Sequence, residues 1–145
     1  MSKSEPTVQK YMTTQPVSIG VEETLEAARK LLSKFSIRHL PATKDGKLVG
    51  IVSEREINLA CGIDSIDPRQ LLVADICSEK PYIVEPDTPL REVAKVMASQ
   101  HYGSAIVVQN GKLVGIFTTV DACRALAQTI QLDIDGANLM RAGGF

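Results

Sequence analysis

Two short stretches of this 145-residue chain set a hydroxyl and a carboxylate three residues apart: Ser53-Glu-Arg-Glu56 and Thr118-Thr-Val-Asp121. At the start of a helix that spacing makes a capping box or a close relative of one. The hydroxyl accepts a backbone N–H one turn on, and the carboxylate reaches back and favours the positive end of the helix dipole. The same groups suit a ligand, because free N–H groups and a hydroxyl receive a phosphate while a carboxylate can accept both hydroxyls of a ribose. The two uses can coexist.

Other chemistries lack their residues. His39 and His101 are the only histidines, and neither they nor Cys61, Cys77 and Cys123 fall at metal-binding spacings; no D-x-D-x-D-G loop occurs. The dinucleotide, P-loop and G-x-S-x-G patterns are absent as well, so the chain reads as non-catalytic, with no catalytic residue and no metal ligand assigned. The cysteines, odd in number and outside any C-x-x-C pair, read as buried or semi-buried free thiols, with a redox switch as the alternative.

The elements that must position the two stretches come in a repeat. Gly46-Lys-Leu-Val-Gly-Ile51 recurs as Gly111-Lys-Leu-Val-Gly-Ile116, and the same shift of 65 residues maps Val8 on Val73, Pro16 on Pro81, Leu25 on Leu90 and Lys30 on Lys95 without a gap. Each unit opens with a short β-prone run, Pro16–Ile19 or Pro81–Val84. A helix follows, with Leu25, Ala28, Leu32 and Phe35, or Leu90, Val93 and Met97, on one face; Thr24 is the expected N-cap of the first, and Thr88 with Pro89 at N1 that of the second. Asp45-Gly46 and Asn110-Gly111 each predict a type I′ hairpin, whose second strand, Leu48–Val52 or Leu113–Phe117, reads as covered on both faces. Helices from about Ser53 to Ala60 and from Thr118 to about Gln131 close the units.

The expected fold is mixed α+β: two pseudo-symmetric β-α-β-β-α repeats packed sheet to sheet, because one such unit buries too little apolar area to be stable alone. The division is residues 1–65, 66–131 and a tail, 132–145. That tail, rich in glycine and without a counterpart in the repeat, is expected to fray, with Leu139, Met140 and Phe145 available for docking. Two related clefts should lie between the halves.

Hydrophobic residues make up 44% and charged residues 23%, as in a globular protein. Lys and Arg number 10 against 9 acids in residues 1–72 and 6 against 8 in the remainder, so neither half is basic; with no Trp and few other aromatics, nucleic acid is not an expected partner. No apolar run is long enough to span a bilayer and no signal-peptide core opens the chain, so no membrane partner and a cytoplasmic location are expected.

Tyr11-Met-Thr-Thr-Gln-Pro-Val-Ser18, Ile37-Arg-His-Leu-Pro41, Gly46-Lys-Leu-Val-Gly-Ile-Val-Ser53 and Gly111–Asp121, in this order and in one repeated register, resemble a tandem pair of CBS domains, a Bateman module. The likeness covers about residues 7–130. It implies the same β-α-β-β-α pair, flat homodimers formed through the helices, and clefts for adenosine-containing regulatory ligands such as AMP, ADP, ATP or S-adenosylmethionine, with no required cofactor.

Carried over by that resemblance, the better cleft uses Thr118 near phosphate and Asp121 on the ribose hydroxyls. Thr13, Ser18, Ile37 and His39 approach from the first unit, and Gly103 and Ser104 from the second hairpin. Arg38 and His39 are the candidate phosphate cations, against a solvated strand position for Arg38 and a packed one for His39. The weaker cleft uses Ser53, Ser78, Ile83 and Tyr102, with Glu56 where the family has Asp; the added methylene displaces the carboxylate by about an ångström, a damaging misplacement. No attached effector domain is expected, and the expected function is a stand-alone sensor acting in trans on an unknown protein effector. The alternative is a structural homodimerisation scaffold with no small-molecule ligand.

Overall fold

In the computed structural model of the chain, which describes residues 5–63 and 65–142, both hairpins turn on paired left-handed residues. Asp45 and Gly46 have φ of 51° and 78°, and Asn110 and Gly111 have 52° and 76°, the backbone that a type I′ turn requires. These turns join β3 (His39–Lys44) to β4 (Lys47–Ser53) and β6 (Ser104–Gln109) to β7 (Lys112–Thr118).

Before each hairpin stands the expected helix, α2 (Leu25–Phe35) or α5 (Leu90–Gln100), and after it α3 (Glu54–Ile63) or α6 (Thr119–Ala142). Short strands β2 (Ile19–Gly20) and β5 (Ile83–Val84) pair in parallel with β3 and β6. The remaining elements are the single turns α1 (Val8–Tyr11) and α4 (Val73–Ile76) and the two-residue strand β1 (Thr13–Thr14).

The opening turns are exchanged between the repeats. Val8 of α1 is fully buried with Val84, Val93, Met97, Val107 and Phe117 in the second core, while Val73 of α4 is fully buried with Leu25, Leu32, Leu40, Val52 and Ile57 in the first. Matched backbone bonds fix both: Val8 N–H to Thr88 O (2.9 Å) and Leu90 N–H to Pro6 O (2.9 Å) have their counterparts in Val73 N–H to Glu23 O (2.8 Å) and Leu25 N–H to Leu71 O (2.9 Å). After each turn the chain runs antiparallel beside the other repeat's second hairpin strand. Thr13 pairs with Ile116, and Ile51 exchanges both backbone bonds with Ser78. The result is a four-stranded sheet in the order β1-β7-β6-β5 and a three-stranded sheet β2-β3-β4, which meet where β4 approaches β7.

Several expectations need correction. The opening strands shrink to two residues, because Pro16 and Pro81 have no N–H for the ladder and only the far ends of those runs pair. Thr24 does cap α2, accepting the Ala27 N–H at 3.1 Å. Thr88 caps nothing: α5 starts at Leu90 with Pro89 as its flanking residue, and the Thr88 carbonyl is spent on holding α1. Phe35 is 46% exposed rather than core and stands at the rim of a cleft. On β4 only Gly50 and Val52 are fully covered, and Val49 faces outward.

The last helix runs past its expected end near Gln131 into the tail. α6 continues through Asp133 and Gly136 to Ala142, supported by Thr129 Oγ1 donating to Ala125 O (2.9 Å) and Gln131 Nε2 to Asp135 Oδ1 (2.9 Å). Gly136 costs this helix roughly 1 kcal/mol relative to alanine, a penalty too small to end it. Phe145 and the side chains of Leu139 and Met140 lie outside the described residues. Among the described residues no helix is long and apolar enough to cross a membrane.

Candidate functional site

Strand β7 ends at Thr118 and α6 begins at Thr119, so the hydroxyl–carboxylate pair sits at the junction where the sheet hands over to a helix N-terminus. Asp121 is buried at 5% exposure, and its two oxygens do different work. Oδ2 closes the cap, accepting the Thr118 N–H (2.9 Å) and the Thr118 hydroxyl (3.1 Å). Oδ1 accepts the Thr13 hydroxyl and the Arg124 guanidinium, both at 3.2 Å. Thr13 reaches it because β1 is added to the edge of β7.

Around this carboxylate lies a cleft of about 400 Å³ between the repeats. Thr13, Ile37, Arg38, His39, Thr118 and Asp121 all line it, brought together from residues up to 108 apart in sequence. Gln15, Phe35, Ser36 and Arg124 line it too, and sequence reasoning missed them. Arg124 was findable, one turn beyond Asp121 on the same helix face; Gln15 and Ser36 take left-handed backbone in loops, which no periodicity reveals.

The pseudo-equivalent cleft, expected to bind more weakly, has a volume of about 1020 Å³. Ser53, Glu56, Ser78 and Tyr102 line it, as do Arg55 and Lys80, which sequence reasoning did not single out. Here the cap is self-contained: Glu56 Oε1 accepts both the Ser53 N–H (3.2 Å) and hydroxyl (3.0 Å), and the Glu56 N–H donates to Ser53 Oγ (3.2 Å). Ser78, the counterpart of Thr13, joins β4 through its backbone. Tyr102 stacks obliquely on Tyr82, ring centres 5.4 Å apart, on the wall of this cleft.

Gly103 and Ser104 line the Glu56 cleft, not the Thr118 cleft as expected. The shift of 65 explains this, since Gly103-Ser104 is the repeat equivalent of Arg38-His39: those residues of the first repeat face the Thr118 cap of the second, so Gly103-Ser104 of the second face the Ser53 cap of the first. Ser18 and Ile83, equivalent to each other, line neither cleft: each precedes a buried strand residue, Ile19 or Val84, and points to the opposite, solvent side.

Burial, and secondarily the Arg38 guanidinium beside it, hold the His39 imidazole below its ordinary value near 6.5. The folded protein therefore binds fewer protons at His39 than the unfolded chain between the two values. Its contribution to stability is full above the unfolded value and is lost as pH falls through the folded one. Urea midpoints measured from about pH 7.5 to about pH 5 are expected to decline, and His39→Gln is expected to flatten that decline. An identical slope in the variant would assign the decline to other groups.

The CBS domain family matches the chain twice, at residues 8–61 and 73–128. Inosine-5'-monophosphate dehydrogenase of Korarchaeum cryptofilum is 30% identical over 122 residues, or 83% of this chain, which spans only 24% of that enzyme's length. Three solved structures share the fold closely. AcuB of Vibrio cholerae has a TM-score of 0.81 at 28% identity, covering 91% of this chain and 98% of its own. The CBS domain pair of MJ0100, solved with 5'-methylthioadenosine and S-adenosyl-L-methionine, has 0.79 at 25% identity, covering 87% and 99%. CBSX2, solved with AMP, has 0.71 at 26% identity, covering 85% and 97%. With both repeats matched in one register and the exchanged two-sheet fold shared along nearly its whole length, the chain belongs to the CBS domain family as a tandem pair.

Proposed function

We propose that the chain is a non-catalytic regulatory module that binds an adenosine-containing ligand between its repeats and acts on a partner protein in trans. The observation that carries this reading is the divided carboxylate of Asp121. Oδ2 is committed to the helix cap, whereas Oδ1 is held by two bonds of 3.2 Å from Thr13 and Arg124 that ribose hydroxyls can replace. Ligands of this class in the MJ0100 pair and in CBSX2 support the reading. The phosphate of a nucleotide would meet Arg38 and the Thr118 end of the cleft, while Ile37, Val17 and Phe35 offer apolar surface to the base.

Self-association is part of the proposal. Leu126, Ile130 and Ile134 recur at helical spacing on α6 and are 61%, 49% and 47% exposed, an apolar stripe that favours a homodimer. The same stripe favours the second reading, a ligand-free dimerisation scaffold. Free Cys61, Cys77 and Cys123 accord with a cytoplasmic setting.

Thermal unfolding in the presence of AMP, ADP, ATP, S-adenosylmethionine, 5'-methylthioadenosine and GTP separates the readings. At about 100 times its Kd an adenosine ligand is expected to add roughly 2.7 kcal/mol of stability. Asp121→Asn keeps the side chain's size and is expected to lose most of that gain. If no adenosine compound stabilises the parent at millimolar concentration, the scaffold reading replaces this one.

A further inference from the structure

The two clefts are pseudo-equivalent in backbone but not in charge. Where the first repeat has Arg38-His39, the second has Gly103-Ser104, so the repeat symmetry supplies one such guanidinium–imidazole pair for two clefts. Gly103 leaves space where a side chain would stand: a Cβ there would lie 2.7 Å from His39 Nε2 and 3.1 Å from Cε1. His39 fills that space across the repeat boundary. In consequence Arg38 and His39 line both the Thr118 cleft and the Glu56 cleft, and Arg38 also borders a third cavity of about 460 Å³ between α2 and α3.

We infer that Arg38 is shared between the two clefts, so that an anionic nucleotide bound in one weakens the binding of an anionic nucleotide in the other. The inference rests on the ligand reading above and deepens it. Arg38 is exposed and long enough to turn either way, but its single charge can pair closely with one phosphate at a time. Beside the shared Arg38, the Thr118 cleft has Arg124 and the Glu56 cleft has Arg55 and Lys80. Coupling of this kind is reciprocal, so it is the same whichever cleft fills first.

The test compares AMP binding, by calorimetry, in the parent and in two single-cleft variants. Val120→Trp obstructs the Thr118 cleft and Ser78→Trp the Glu56 cleft; both positions are exposed and line their clefts, so the added ring does not enter a core. The overall constant for filling both clefts of the parent is expected to be smaller, by about fivefold or more, than the product of the two single-cleft constants. In the Arg38→Ala background the two are expected to agree. 5'-Methylthioadenosine, which has no phosphate, is expected to show no deficit even in the parent. A parent in which AMP fills one cleft, while each single-cleft variant binds it, is the limiting case of the same coupling. Agreement in the parent, a deficit that survives Arg38→Ala, or AMP confined to one cleft in every variant would overturn the inference while leaving the ligand reading in place. AMP binding nowhere, with the thermal series also flat, would remove both.

Discussion

Gly50→Ala is expected to destabilise the protein by about 3–5 kcal/mol, a cost unusual for one methyl group. A Cβ at Gly50 would fall on the Ser78 carbonyl oxygen, with the Ser78 carbonyl carbon and Cys77 Sγ each at 3.2 Å. The obstacle is backbone, and it belongs to the segment that follows α4. Relieving the clash means pulling Ser78 off β4, which breaks the paired bonds between Ile51 and Ser78 and loosens Val73 in the first core. Gly115, its repeat equivalent, gives the internal control. There the three atoms nearest a Cβ all belong to the flexible Met12 side chain, which can swing aside, so Gly115→Ala is expected to cost about 1–2 kcal/mol. Urea unfolding of both variants checks the ranking, and equal losses would mean that the crossing at Gly50 is looser than described.

Val8→Asp is expected to cost about 4 kcal/mol or more, because it puts an unpaired carboxylate among Val84, Val93, Met97 and Phe117. The location of the damage is the sharper prediction. Val8 lies in the first repeat by sequence but is buried in the core of the second. Amide exchange in the variant is therefore expected to accelerate first in β6 and β7, with β3 and β4 retaining more protection. Val73→Asp should reverse the pattern. Val8→Ala, milder and still folded, provides the same comparison if the aspartate variants do not fold. Loss of protection confined to the mutated residue's own repeat would contradict the exchange of opening turns.

The reciprocal exchange left a trace that sequence reasoning did not use. Val8 and Val73 were matched by the repeat, yet nothing local tells a valine which core it enters. That choice depends on the amides of Val8, Leu90, Val73 and Leu25 meeting the carbonyls of Thr88, Pro6, Glu23 and Leu71 across the molecule. Elements with strong local codes were legible: Asp-Gly and Asn-Gly turns, the stripe of Leu25, Ala28 and Leu32, and the Thr24 cap. Thr88 misled because a threonine before proline carries the same local code whether its carbonyl is left to solvent or taken by α1. The tail misled for a related reason, since Asp133 to Gly144 has the composition of a loop while α6 carries a helix through to Ala142.

For the candidate site, the hydroxyl–carboxylate pairs were legible because a helix N-terminus imposes a three-residue spacing on whatever caps it. Their surroundings were not. Thr13 on Asp121 and His39 seated over Gly103 join residues 108 and 64 positions apart, Arg38 faces two clefts across a repeat boundary, and each depends on how the two sheets meet.

By itself, then, the sequence determined the repeat, its turns, its amphipathic helices and the Thr24, Ser53 and Thr118 caps, because all of these are settled by backbone sterics and spacing within a few residues. Only the tertiary structure decided which core each opening turn completes, which side chains share a cleft, and that one arginine borders both. Those outcomes follow from long-range packing, where the burial of Val8 and Val73 and the missing side chain at Gly103 set distances that no local pattern encodes.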